Sequence, residues 1–220
     1  LGGLPIVEPK DTVLPGTLMP KDEKLLEIAE PKLAAGEKVI VYTNWTRLDT
    51  QKRLLKLLTE RGWRTTILPA KVKPEKREDW VNARLSEGLQ VLIANPSLME
   101  TGLDLNAFTT LFFYDTGYKL FTLRQASRRS WRINQTAPRV EVYMLYYAQT
   151  MQHKAIKLMA NKLAAAGIIA AIYAALTLLL PIPQYGGIQF RVAEAMTVLP
   201  FLFPEAIPGL TVGCFLANLL

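Results

Sequence analysis

The sequence predicts an α/β lobe built on a parallel sheet, followed by an all-α transmembrane segment, and three observations lead there. Between about residues 38 and 166, short apolar runs alternate with amphipathic stretches of helical period. That is the pattern of a parallel sheet covered by helices on both faces. Charge then stops: residues 1–166 hold 25 basic and 17 acidic side chains, whereas residues 167–220 hold only Arg191, Glu194 and Glu205. Finally, residues 163–190 are 28 positions without a charge. Within them, residues 163–180 are apolar apart from Gly167, Thr177 and the amphipathic Tyr173, and would reach about 27 Å as a helix, near the lower length for crossing a bilayer. The alternative is a buried helix of a soluble domain, and charge depletion that persists to the last residue argues against it.

Residues 1–20, with four prolines and three glycines, read as an extended lead-in. Lys21–Ala35 has helical spacing in Leu25, Leu26, Ile28, Ala29 and Leu33; Pro31 is expected to bend or end that helix and Gly36 to stop it. Lys38–Thr43 is an apolar run suited to a buried strand. Leu48–Glu60 reads as a helix with Leu54, Leu55, Leu57 and Leu58 inward, closed by Gly62. Arg64–Leu68 is a second strand, and Pro74–Ser86 a second amphipathic helix with proline in its first turn and Gly88 after it. Leu89–Ala94 and Thr109–Tyr114 are further strands, Val140–Tyr147 a fifth, and Gln149–Ala166 a closing helix. One cysteine, Cys214, excludes an intrachain disulfide, which fits a reducing compartment.

Ligands of such sheets sit beyond the carboxyl ends of the strands, which directs attention to the loops at 44–47, 95–106 and 115–118. Gly102 and Asp104 lie in the second loop; there a glycine lets the backbone approach another group and an aspartate accepts hydrogen bonds. A turn glycine and a capping aspartate are the plainer alternative. From Lys119 to Arg139 there are six basic residues and no acidic one. Wound as a helix, Gln125, Arg129 and Arg132 share one face, while Leu123, Ala126, Ser130 and Ile133 turn another inward. Two guanidiniums on one face suit the clamping of phosphate; a solvated basic helix is the competing reading. A net charge of +7, all of it from the first part, favours an anionic partner.

Lys38–Thr43, Thr101–Leu105 and Gln125–Gln135, in that order on successive elements, resemble the second RecA-like lobe of superfamily 2 helicases, especially the Swi/Snf-like branch. The last stretch follows that family's Gln-Ala-x-x-Arg-x-x-Arg-x-Gly-Gln signature except for Asn134 in place of glycine. The resemblance covers about residues 36–165. It implies that Arg129 and Arg132 are arginine fingers, that Gly102, Asp104 and Gln125 belong to the nucleotide-binding side, and that Lys119, Arg124 and Arg128 contact DNA or RNA. No Gly-x-x-x-x-Gly-Lys-Ser/Thr cradle and no Mg²⁺-binding acidic box occurs in the sequence. In the family both belong to a first lobe. ATP and Mg²⁺ are therefore expected only with an N-terminal helicase lobe supplied, none bound by this chain alone, and no metal site is assigned. A non-enzymatic nucleic-acid-binding module is a further alternative.

In the apolar part, Ala165–Thr177, Ile188–Ala195, Leu199–Pro204 and Ile207–Asn218 resemble the start of the QueT family, queuosine-precursor uptake proteins similar to substrate-binding subunits of energy-coupling-factor transporters. The resemblance implies membrane insertion through residues 163–220, an energy-coupling-factor module as partner, and Gln189, Arg191 and Glu194 as pocket residues. Arg191 and Glu194, at i and i+3, can pair on one helical face; charges touching headgroups in an interfacial loop are the alternative. Lys154, Lys157 and Lys162 place the N-terminal side in the cytoplasm. The expected organisation is a lead-in and helix at 1–35, a RecA-like lobe at 36–158 and a partial membrane domain at 159–220. The chain is expected to be a fragment at both ends and a join of two genes near Met159, since residues 157–166 read equally well as the close of a lobe or the opening of a transporter.

Overall fold

The computed structural model describes residues 17–44, 49–99, 103–115, 120–132, 135–179, 192–204 and 206–219. Two compact units divide the chain, Leu1–Ala148 and Gln149–Leu220. The first contains α1 (Pro20–Ala34), β1 (Val39–Tyr42), α2 (Thr50–Glu60), β2 (Thr65–Ile67), α3 (Arg77–Ser86, entered through a 3-10 turn at Pro74–Lys76), β3 (Val91–Ala94), a 3-10 turn at Pro96–Met99, β4 (Thr110–Phe113), α4 (Leu120–Arg128) and β5 (Glu141–Met144). The strands form one sheet in the order β2-β3-β1-β4-β5, every pair parallel. Val39 of β1 stands opposite Val91 on one side and Thr110 on the other.

The strand pattern follows from position in the sheet. Central strands β1, β3 and β4 are buried at every residue, as expected where both faces are covered. Edge strand β5 alternates instead, with Glu141 and Tyr143 half-buried and Val142 and Met144 exposed. Leu25, Leu26, Ala29 and Leu33 of α1 and Leu54 and Leu58 of α2 pack on Val39, Val41, Val91, Ile93 and Phe112. Alternate residues point the other way: Tyr42 stacks on Phe113 at 4.9 Å and its hydroxyl donates to the Ala126 carbonyl of α4 at 3.3 Å.

Helices α1, α2 and α3 end alike. After α1, Gly36 N–H donates to Leu33 O (3.0 Å) and Glu37 N–H to Lys32 O (3.0 Å), with Gly36 at φ +84°. This left-handed closure favours glycine, and the same pair of bonds recurs at Gly62 and Gly88. Pro31 does not end α1, one of the two outcomes expected of it. In the last turn a proline forfeits one N–H bond, its own carbonyl still accepts from Ala35 N–H at 3.1 Å, and the buried leucine stripe holds the helix on the sheet.

The second unit consists of α5 (Met151–Leu179), a 3-10 segment (Val192–Val198), α6 (Leu199–Leu202) and α7 (Ala206–Leu219). The closing helix expected to stop at Ala166 and the apolar run beginning at 163 are one continuous 29-residue helix. Ala164–Ala166 are the best helix formers, and Gly167 costs only about 1 kcal/mol relative to alanine. Met151–Leu178 is the one helix among the described residues long and apolar enough to cross a membrane. Gly209, Gly213 and Ala217 of α7, spaced by four, are all buried. A Cβ on Gly209 would lie 2.5 Å from Ala166 O, and one on Gly213 2.8 Å from Ala170 O and 2.9 Å from Tyr173 Cβ. The two helix backbones therefore touch along a small-residue seam, as in membrane helix pairs.

Candidate nucleotide and nucleic-acid site

Helix α4 presents Leu123 and Ala126 inward, and Ser130 beyond its end is fully buried, as the sequence pattern predicts; Ile133 lies outside the described residues. The helix itself is shorter than expected. It stops at Arg128, so Arg129 and Arg132 do not project from one helical face. Beyond its end the backbone carbonyls bond other groups. Arg129 O accepts from Leu105 N–H at 3.0 Å, and Ser130 O accepts from the Gln135 side-chain amide at 2.6 Å, which also donates to Asn106 O at 2.9 Å. Arg129 N–H and Trp131 N–H fall back on carbonyls three residues earlier, each at 3.3 Å.

The unwound turn nevertheless brings the candidate residues together. Arg129 Nε donates to Met99 O at 2.7 Å. The Pro96–Met99 turn that carries this acceptor is braced by Arg77, 8% exposed, whose guanidinium donates to Leu98 O at 2.8 Å and to Val72 O at 3.1 Å. Arg129 also lies close enough to Tyr42 for its charge to oppose the strong upward push that burial gives the Tyr42 hydroxyl. Arg132 forms an ion pair with Asp104, both side chains partly open to solvent. Gln125 is half-buried on α4, its Oε1 without a hydrogen-bond partner. Arg124 is half-buried and Arg128 exposed, and neither makes an ion pair among the described residues. Gly102 and Lys119 lie outside the described residues.

One cluster carries no sequence signal. Asp22, fully buried in the first turn of α1, accepts from Met19 N–H (3.0 Å), Arg53 Nη1 (2.5 Å) and Tyr114 OH (2.8 Å). Lys21 is 5% exposed, donates to Tyr114 O at 2.8 Å and lies over the rings of Tyr114 and Tyr147. Burial pushes the Lys21 ammonium below the usual lysine range, opposed by Asp115 and Asp22. At the carboxyl ends of β1 and β4, Asn44 Nδ2 donates to Asp115 O at 2.6 Å. These contacts tie α1 and α2 to the end of β4, which leads towards α4. In sequence, Lys21 and Asp22 read as ordinary residues of a helix start.

In the second unit, Glu194 is exposed in the 3-10 segment, its carbonyl accepting from Thr197 Oγ1 at 2.6 Å; Gln189 and Arg191 lie outside the described residues. Polar side chains on the apolar helices are satisfied within their own helix: Thr177 donates to Tyr173 O (2.9 Å), Thr211 to Ile207 O (2.8 Å) and Asn218 to Cys214 O (2.7 Å). Ile168, Ile172, Phe201, Phe203, Ile207 and Phe215 are exposed.

A family model described as the helicase conserved C-terminal domain matches residues 20–134, a stretch that takes in α1. A model described as the QueT transporter matches residues 163–220. The chain is similar to Helicase SWR1 of Cryptococcus neoformans var. neoformans serotype D (strain B-3501A), 29% identical over 139 residues that cover 62% of this chain and 11% of that protein. It is also similar to the chromatin-remodeling ATPase INO80 of Pyricularia oryzae (strain 70-15), 28% identical over 141 residues, 63% of this chain and 7% of that protein. The chain thus spans about a tenth of the length of these curated relatives. The crystal structure of the C-terminal part of the Fun30 ATPase domain superposes with a TM-score of 0.57 at 18% identity, covering 63% of this chain and 44% of that one, a likeness of fold.

Proposed function

The chain belongs to the helicase conserved C-terminal domain family, and from that premise we propose that residues 36–158, with α1, act as the second lobe of a Swi/Snf-like, nucleic-acid-dependent ATPase. Arg129 and Arg132 serve as its arginine fingers towards a separate first lobe. The observation that carries this reading is the convergence of Arg129, Arg132 and Asp104 on one turn. Arg129 is oriented through Nε on the Met99 carbonyl, beside the turn that carries Arg132. Arg132 is paired with Asp104 and would exchange that carboxylate for phosphate oxygens, one anion for another in the same fork geometry. Gln125 and Gly102 complete the nucleotide-facing side, and Lys119, Arg124 and Arg128 hold the backbone of DNA or RNA.

The residues present fit ATP in part. Two guanidiniums suit its phosphate charge, but no Gly-rich phosphate cradle occurs in the sequence, and among the described residues no group of three carboxylate, cysteine or histidine side chains could hold Mg²⁺. Bound ATP would supply the phosphoryl group; this chain's part is charge stabilisation by preorganised arginines. With a first lobe supplied, Arg132→Ala is expected to lower ATP turnover by about 10³-fold or more. Unchanged turnover in that variant, or turnover by the isolated chain, would overturn the reading.

A second reading applies to residues 159–220: a partial QueT-like membrane domain that works with an energy-coupling-factor module, with Gln189, Arg191 and Glu194 in its pocket. It is supported by the family match over residues 163–220 and by an apolar exterior around the small-residue seam. Alkaline extraction of membranes is the test, retention being expected and release counting against it. Two different families on successive, separate stretches, 20–134 and 163–220, also support the proposal that the chain joins two genes near Met159. Long reads of the source DNA that show one uninterrupted frame through Met159 would refute the join.

A further inference from the structure

We propose that Trp131 is a stacking platform for an unpaired base of a single-stranded nucleic acid, an inference that rests on the nucleic-acid reading of the surface around α4. Trp131 is 54% exposed, more than any other large hydrophobic side chain described in residues 17–148. Its seat is rigid. Ser130 behind it is fully buried, the carbonyls of Arg129 and Ser130 are both claimed by other segments, and Trp131 N–H is bonded to Arg128 O. The indole is therefore held at the surface by a pinned turn.

Among the described residues no cation covers its ring. The Arg84 guanidinium lies over the Trp80 ring at 5.4 Å. Trp131 has arginines on both sides in sequence, yet no cation lies over its ring among the described residues, and Arg132 is turned to Asp104. Arg128, exposed and without an ion pair among the described residues, stands one turn away. An exposed aromatic ring beside the exposed Arg128 matches the two halves of a nucleotide in a single strand, a planar base and an anionic backbone. A duplex offers phosphate but keeps its base faces stacked.

The experiment uses the full 220-residue chain in detergent, with Trp131→Leu, which keeps apolar volume without a π face, and Trp131→Phe, which keeps the face. Probes are an oligothymidylate, a blunt duplex of equal length, and ATP, each titrated at two salt concentrations with tryptophan emission and affinity as readouts. Trp131→Leu should bind the single strand about 10-fold more weakly, with an unchanged salt slope because no phosphate contact is lost. Trp131→Phe should stay close to the parent chain, and duplex affinity should be the same in all three. Equal single-strand affinity in Trp131→Leu, loss of equal size on the duplex, or Trp131→Phe as weak as Trp131→Leu overturns the proposal. So does emission quenched by ATP and not by the oligonucleotide, which assigns the ring to the nucleotide. A parent chain that binds neither nucleic acid overturns the surface reading as well; salt-dependent binding indifferent to Trp131 overturns the stacking alone.

Discussion

Removing the Asp22 carboxylate should be the most damaging single polar substitution in the first unit. Asp22 is fully buried and accepts three hydrogen bonds, from Met19 N–H, Arg53 and Tyr114 OH. Hydrogen bonds to a charged group are worth about 1.5–3 kcal/mol each, but three of them cannot simply be added here. The Arg53 side chain is 36% exposed and recovers water once released, which discounts its share. Tyr114 OH, 4% exposed as a residue, loses its acceptor in a dry site. The balance for Asp22→Ala is about 3 kcal/mol, at the lower edge of the range for breaking a buried pair. Asp22→Asn, which keeps one acceptor oxygen, should cost about half as much. All four tryptophans, Trp45, Trp63, Trp80 and Trp131, lie in the first unit, so urea unfolding followed by tryptophan emission reads this unit within the full chain. Arg61→Ala, which breaks the half-exposed pair with Glu30, is the internal control at under about 1 kcal/mol. If Asp22→Ala costs no more than Arg61→Ala, burial of the carboxylate cancels its bonds and the reasoning fails.

Two further outcomes are expected. Gly213→Ala should loosen the α5–α7 pair, because its new methyl would meet backbone at 2.8 Å, whereas Gly167→Ala meets nothing within 4 Å and should be neutral or stabilising; overpacking of this kind costs about 1–3 kcal/mol. Thermal unfolding in detergent followed by helical circular dichroism compares the two, and equal melting of both variants would refute the seam. Glu141→Gln should flatten the acid limb of stability. The hydrogen bond from Lys32, then that from Tyr143, holds the Glu141 carboxyl below the usual range, so its contribution is present above the unfolded value of about 4.3 and lost as pH falls through the lower folded value. Lys32 is correspondingly raised by the same bond, so the pair persists through neutral pH. Urea midpoints at several acidic pH values check this, and an acid limb unchanged in the variant would count against it.

What could be read from the sequence, and what could not, divides along the range of the interactions. Strands β1, β3 and β4 were legible because burial on both faces writes them as continuous apolar runs. The ends of α1, α2 and α3 were legible because a left-handed closure leaves a glycine at a fixed offset. The end of α4 was not. Its propensity continues into Arg129–Arg132, where the backbone instead bonds Leu105 N–H, from an earlier loop, and the Gln135 amide. Asp22 was hidden for the same reason, since Arg53 and Tyr114 lie 31 and 92 residues away.

The second unit inverts this relation. Thr177, Thr211 and Asn218 each bond a carbonyl four residues back in the same helix, so polar groups there are satisfied locally and composition alone announces an apolar exterior. Composition does not announce which face is used for packing. Gly209, Gly213 and Ala217 are ordered by a spacing of four, but a stripe of small residues acquires meaning only when another backbone fills it, as Ala166 and Ala170 do here. The first unit thus depends on contacts distant in sequence for its polar order, and the second only for its apolar seam. Polar substitutions should accordingly be felt most at Asp22 and its partners, and added methyl groups most at Gly209 and Gly213.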